Sequence, residues 1–161
     1  VNQYDNLLVL RSFSKSFGLA GLRLGYGMAN EKLIDYLYRA TQIFPVNRLA
    51  LAAGIAALED LDYVYANVKR ICIERENLRQ NLVKMGFTVY PSVTNFLFVN
   101  TKPLGILSSK LVQALRNQNI WVKDFGCKLG LDGYYFRIAI GTPDENQKLQ
   151  VALAEAISGN N

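Results

Sequence analysis

The sequence predicts an α/β fold, and three observations predict it. Short apolar runs that read as strands alternate with segments whose apolar residues recur at three- and four-residue steps, the spacing of one helix face. One long segment of that second kind separates a small-residue-rich first part from a second part in which strand and helix patterns alternate. Half of the 161 residues are hydrophobic and 19% are charged, a balance that builds a core and does not describe a disordered tail.

Asn6-Leu7-Leu8-Val9-Leu10-Arg11-Ser12 is a short apolar run and reads as a buried strand. It empties into a loop, Phe13 to Leu22, whose Gly18 and Gly21 permit tight turning. Arg23 to Ala29 reads as a second strand, and Asn30 then caps a helix running to about Ala40. Pro45 breaks the chain, and Asn47 starts an Ala-rich helix that ends near Leu58. Leu61, Val64, Val68, Ile71, Leu78, Leu82 and Met85 mark one amphipathic helix from Asp60 to Met85, its stripe interrupted by Arg75. Gly86 supplies its C-terminal cap. Phe87–Tyr90, Phe96–Val99, Ile120–Lys123 and Tyr134–Ile140 read as strands, with a helix over Leu107–Asn117. Thr142-Pro143-Asp144-Glu145 opens the last helix with a capping box and a proline at its first position, and Gly159 ends it. The boundary between two parts is expected near Leu58, giving 1–58 and 59–161.

Composition narrows the function. The net charge of +5 asks for an anionic partner, but Lys and Arg are scattered without a basic run. A phosphorylated small molecule is expected, and no nucleic acid. With no His, imidazole acid–base chemistry and most zinc sites are excluded. Cys72 and Cys127 stand in no metal spacing, so a reducing, cytoplasmic compartment is expected. No apolar stretch is long enough to span a bilayer, and no membrane partner is expected. Val1-Asn2-Gln3-Tyr4-Asp5 is no signal peptide, and it runs almost directly into a strand, as in a chain cut from something longer.

The chemistry concentrates between Ser12 and Tyr26. Lys15 offers an amine for a covalent bond to a carbonyl, more readily if burial helps it lose its proton. Ser12 and Ser14 are neutral hydroxyl donors of the kind that complete a phosphate cup, and Arg23 is a charged fork able to grip two phosphate oxygens. Glycines at 18, 21 and 25 let backbone approach a ligand closely. Together these suit a phosphorylated aldehyde cofactor. Residue types alone leave a plain reading equally open, with Lys15 and Arg23 as surface charges and the serines in an ordinary turn. Arg137 has an independent case: a charge inside an apolar strand points outward or meets an anion.

The segment resembles the pyridoxal-phosphate (PLP) lysine signature of the class-II aminotransferases of fold type I. That signature is Ser-x-Ser-Lys, an aromatic and Gly, then Gly-x-Arg-x-Gly-Tyr, and every position is filled by Ser12 to Tyr26. Within the group, Leu19-Ala20-Gly21-Leu22-Arg23-Leu24-Gly25-Tyr26 is most similar to histidinol-phosphate aminotransferases. The resemblance implies that Lys15 holds PLP covalently and later moves a proton between substrate carbon and cofactor. It implies that Ser12, Ser14 and Arg23 bind the cofactor phosphate. Tyr135-Phe136-Arg137-Ile138-Ala139-Ile140-Gly141-Thr142 resembles the family's Arg-Ile-x-x-Gly-Thr strand, in which Arg137 matches the arginine that clamps the substrate carboxylate. Thr94-Asn95-Phe96 resembles a strand near the site; Asn95 reads as a substrate contact or as a strand cap. Tyr63/Tyr65 and Tyr134/Tyr135 read as packing pairs, and Cys127 as an inert loop thiol.

The fold implied is the C-terminal portion of a PLP-dependent transferase: the tail of a large cofactor domain, then a small α/β domain led by the long helix. The reaction implied converts histidinol phosphate and 2-oxoglutarate to imidazole-acetol phosphate and glutamate in a homodimer. Members carry upstream an acidic partner for the pyridinium nitrogen, an aromatic stacked on the ring and a glycine-rich helix start, none of which can be placed in this sequence. Little or no turnover is therefore expected of these 161 residues by themselves. Two rival readings remain. One is a PLP-dependent decarboxylase of a phosphorylated amino acid, since the same cofactor residues serve both outcomes. The other is a non-catalytic, transaminase-like module attached to a DNA-binding segment.

Overall fold

β1 (Val9–Ser12) and β2 (Gly25–Met28) pair as an antiparallel ribbon, with Val9 opposite Met28 and Ser12 opposite Gly25. The computed structural model describes residues 3–159. β1 is shorter than the apolar run predicts, because β2 supplies pairing positions only as far as Met28. α1 (Glu31–Ala40) is capped by the Asn30 side chain, which accepts from the Leu33 N–H. α2 (Arg48–Glu59) is capped in the same way by Asn47. Both caps stand where the sequence puts them, since each asparagine satisfies a helix N–H that would otherwise lack a partner.

The long helix α3 (Leu61–Lys84) follows. The chain packs as two compact units that part inside this helix, one ending at Val68 and the other beginning at Lys69. In the first unit, Phe13, Leu24 and Ala50 form a small core flanked by Phe17, Leu19, Leu22 and Val46. Tyr63 and Tyr65 are 61% and 65% exposed and do not pack as a pair, since residues two apart on a helix leave it in different directions.

The second unit is a four-stranded antiparallel sheet, order β3-β4-β6-β5, with helices on one face. Its strands are β3 (Thr88–Val89), β4 (Phe96–Asn100), β5 (Lys123–Asp124) and β6 (Tyr135–Ala139). Burial alternates along β4 and β6, as period-two strands with one wet face require. Leu97, Val99, Phe136 and Ile138 turn inward against Leu78 and Leu82 of α3 and against α4 (Ser108–Asn117) and α5 (Pro143–Ser158). Phe96, Phe98, Tyr135 and Arg137 turn to the other face.

β5 begins at Lys123 and not at Ile120. The Ile120 N–H closes α4 by donating to the Leu115 carbonyl at 2.9 Å, and Asn119 takes a left-handed conformation (φ 60°) to allow it. Gly86 has φ 94° at the end of α3, and a Cβ there would come 2.7 Å from Leu104 Cδ2. Arg75, the break in the α3 stripe, donates from Nη1 to the Thr94 carbonyl at 2.9 Å and ties down the entry to β4.

The capping box of α5 forms as the sequence predicts. The Thr142 N–H donates to Glu145 Oε2 at 2.8 Å, and the Glu145 N–H donates to Thr142 Oγ1 at 3.3 Å. The Thr142 backbone and side-chain hydrogen bonds hold the Glu145 carboxyl below its ordinary value. A carboxyl whose folded value is depressed stabilises the fold above its unfolded value, about 4.3, and that contribution fades as pH falls through the folded value. Thr142→Ala is therefore expected to destabilise by about 1 kcal/mol at neutral pH. Its deficit against the unchanged protein should shrink in thermal melts taken below the carboxylate range; a deficit that stays constant with pH contradicts the coupling.

Candidate functional site

The loop between β1 and β2 is built around one ring. Phe13 is 4% exposed, its N–H donates to the Leu24 carbonyl at 3.1 Å, and its carbonyl accepts from the Leu19 N–H at 3.0 Å. Phe17 lies with its centroid 4.5 Å from that of Phe13, and Tyr26 meets Phe13 edge-on at 5.8 Å. Below the ring, α2 presents Ala50 and Gly54; a Cβ on Gly54 would fall 2.4 Å from Leu24 Cδ2, so a larger residue there would have to push the Leu24 side chain aside. Gly25 meets backbone instead: a Cβ there would stand 2.8 Å from the Arg11 carbonyl oxygen.

With its apolar residues turned down, the loop displays its polar residues on the surface. Ser12 ends β1 and its Oγ accepts the Ser14 N–H at 3.1 Å. Lys15 follows in a turn closed by the Gly18 N–H on the Lys15 carbonyl at 3.0 Å, with Gly18 at φ 72°. The Lys15 side chain is exposed and its amine has no hydrogen-bond or ion-pair partner among the described residues. Within its unit, burial therefore does nothing to help Lys15 lose its proton.

Arg23 also differs from expectation. It does not begin β2 but closes a 3-10 turn, Ala20–Leu22, in a left-handed conformation (φ 54°, ψ 44°). For a non-glycine residue this costs on the order of 1–2 kcal/mol. The conformation turns the guanidinium back over the loop, where Nη1 donates to the Ala20 carbonyl at 2.9 Å and to Ser14 Oγ at 3.4 Å. Its remaining N–H groups have no partner among the described residues. Ser12, Ser14 and Arg23 are thus gathered into one hydrogen-bonded group directly beside Lys15 in the chain. One loop thus carries an amine, a guanidinium and two hydroxyls, groups of the kinds a phosphorylated aldehyde calls for: one for the carbonyl carbon, three for the phosphate.

Arg137 belongs to the other unit. It sits in β6 opposite Phe98 of β4 and Lys123 of β5, on the face of the sheet away from the helices. Its guanidinium carbon lies 4.9 Å from the centroid of Phe96, and it makes no ion pair among the described residues. Beside it on this face, the Phe98 ring stacks on Tyr135 at 5.3 Å and meets Phe125 edge-on at 5.5 Å. Tyr90 lies against both Phe98 and Tyr135, and the neighbouring Tyr90 hydroxyl, with burial, pushes the Tyr135 phenol upward. Asn95 serves this face through its backbone, its carbonyl accepting from the Ile140 N–H at 2.9 Å.

Lys123 is the residue sequence reasoning missed. It stands directly across the ladder from Arg137, both exposed, and like charges so placed repel unless an anion lies between them. The signal was a basic residue in a short strand ahead of a glycine-containing loop, which acquires meaning only once the register is known. Among the described residues no cluster of metal-ligating side chains occurs, and no helix is long and apolar enough to cross a membrane.

Comparison with known proteins gives consistent results. The model of the family "Aminotransferase class I and II" matches residues 1–153. A histidinol-phosphate aminotransferase of Methanococcus maripaludis (strain C6 / ATCC BAA-1332) is 39% identical over 156 residues, covering 96% of this chain and 42% of that protein. The histidinol-phosphate aminotransferase of Sinorhizobium meliloti, solved in complex with pyridoxal-5'-phosphate, superposes with a TM-score of 0.85 at 28% identity, covering 98% of this chain and 42% of its own. A decarboxylase from Sulfurospirillum multivorans superposes with a TM-score of 0.83 at 30% identity over 97% of this chain and 45% of its own. The chain spans less than half the length of each of these proteins.

Proposed function

The chain belongs to the aminotransferase class I and II family, and on that premise we propose that it carries the cofactor lysine, part of the phosphate cup and the substrate-anion arginine of a PLP-dependent histidinol-phosphate aminotransferase. The observation that carries the reading is the hydrogen-bonded group of Ser12, Ser14 and Arg23 on the loop that also carries Lys15, whose amine has no partner among the described residues. The family depends on PLP, and its group of similar proteins includes one bound to that cofactor.

What the cofactor supplies when bound is an electrophilic carbonyl and a ring that takes up the electron pair of the bond being broken. This chain's residues do the rest. Ser12, Ser14 and Arg23 hold the phosphate, the hydroxyls by hydrogen bonds and the guanidinium by charge. Lys15 would hold the cofactor through its amine and would carry a proton to and from the substrate carbon that bears the amino group. Arg137, with Lys123 opposite, grips the anionic end of the substrate, so that the carbon losing its proton is held in one orientation. The substrates in this reading are histidinol phosphate and 2-oxoglutarate, the full-length protein is a homodimer, and the setting is reducing and cytoplasmic, in keeping with two free thiols. In this reading residues 1–58 form the tail of the large cofactor domain and 59–161 the small one, while the compact units part later, between Val68 and Lys69.

A decarboxylase superposes on this chain too, but the sequence relative with the higher identity carries the aminotransferase name. The two outcomes separate in one assay of the full-length protein, given histidinol phosphate with 2-oxoglutarate, or threonine phosphate alone. Glutamate formed in step with loss of histidinol phosphate is the expected result. Carbon dioxide released from the phosphorylated amino acid, without glutamate, contradicts it.

A further inference from the structure

Arg137 is a cation on an open sheet face with no carboxylate to hold it among the described residues and with another cation, Lys123, directly across the ladder. Left to itself, such a side chain would sample many rotamers and swing away from its neighbour. What it touches is a ring: its guanidinium carbon lies 4.9 Å from the centroid of Phe96. We propose that Phe96 is a positioning residue for Arg137, steadying the guanidinium over the sheet without neutralising it, so that the full charge stays available to a carboxylate. This rests on the reading of Arg137 as the substrate-anion residue.

Three features support the assignment. First, the backbone at Phe96 is unusually well fixed. Its carbonyl accepts from Ser92 Oγ at 2.7 Å and from Thr94 Oγ1 at 3.2 Å, while its N–H donates to Thr94 Oγ1 at 3.3 Å. Arg75 holds the Thr94 carbonyl from α3, so the ring is tied to the helix layer of its own unit. Second, the residue opposite Phe96 in β6 is Ala139, too small to cover the ring, which leaves it free to meet Arg137 on the diagonal. Third, the interaction suits the task. A carboxylate would hold the guanidinium more firmly, but the substrate would have to displace it; the face of an aromatic ring attracts the cation and leaves its N–H fork unspent.

The test uses the full-length protein with Phe96→Leu, Phe96→Tyr, Arg137→Ala and the double variant Phe96→Leu/Arg137→Ala. The readouts are the dissociation constant of succinate, a non-reacting dicarboxylate, by titration calorimetry, and the KM and kcat for 2-oxoglutarate. Phe96→Leu, which keeps apolar volume but removes the ring, is expected to weaken succinate and raise KM by about two- to five-fold with kcat and Tm nearly unchanged. Phe96→Tyr should bind as the unchanged protein does, and Phe96→Leu should have no further effect once Arg137 is gone. The inference is overturned if Phe96→Leu binds succinate normally, if Phe96→Tyr is as weak as Phe96→Leu, or if the loss is the same without Arg137. If Arg137→Ala itself leaves succinate binding intact, the reading of Arg137 fails and the inference falls with it.

Discussion

In the full-length protein Lys15→Ala is expected to leave a folded protein that no longer bonds covalently to PLP and turns over slower by on the order of 10²–10⁴-fold, from the loss of proton transfer alone. The fold should survive because Lys15 is exposed and its side chain has no partner among the described residues, while the turn around it is held by backbone hydrogen bonds. The phosphate-binding group is expected to survive as well, since neither the Ser14 N–H to Ser12 Oγ bond nor the Arg23 bond to Ser14 Oγ involves the lysine side chain. PLP should therefore still bind, but without a covalent link and with faster loss on dialysis. A matched Lys15→Arg variant separates charge from chemistry. It keeps the cation but offers no free amine for the carbonyl, so it should fail as Lys15→Ala does. Turnover within a few fold of normal in either variant would remove Lys15 from the reaction.

Arg137→Ala is expected to raise the KM for 2-oxoglutarate by about 10- to 100-fold, the range for losing hydrogen bonds to a charged group. Arg137 is exposed on the sheet face, so its removal opens no cavity, and the inward-facing Phe136 and Ile138 are untouched. Loss of the cation also relieves its repulsion with Lys123, so thermal stability should not fall. Arg137→Lys should be intermediate: the charge stays but the planar fork that matches two carboxylate oxygens is lost. A KM unchanged in both variants would contradict the assignment. A comparable rise on Lys123→Ala would show that the two cations act on the same anion.

The sequence carried much of the fold because its signals were local. Asn30, Asn47 and Thr142 cap the helices they were expected to cap, each by accepting from the helix N–H three residues on. β4 and β6 fall where the apolar runs were expected to form strands. What escaped was set by non-local geometry. Ile120 looks like a strand residue, yet it closes α4, and only the register that follows puts Lys123 opposite Arg137. Arg23 looks like the first residue of β2, but the 3-10 turn before it ends in a left-handed conformation that no propensity favours for arginine. That conformation is what turns its guanidinium toward Ser14, so the residue types of the phosphate group were legible and their means of assembly was not.

The claim at the centre is that Lys15 is the residue that holds PLP. It is tested most directly by adding PLP to the full-length protein, reducing with borohydride and locating the modified lysine by peptide mass mapping, with Lys15→Ala as control. Modification concentrated at Lys15 and absent from the control is the predicted result. Modification spread over other lysines, with the same pattern in Lys15→Ala, would contradict it.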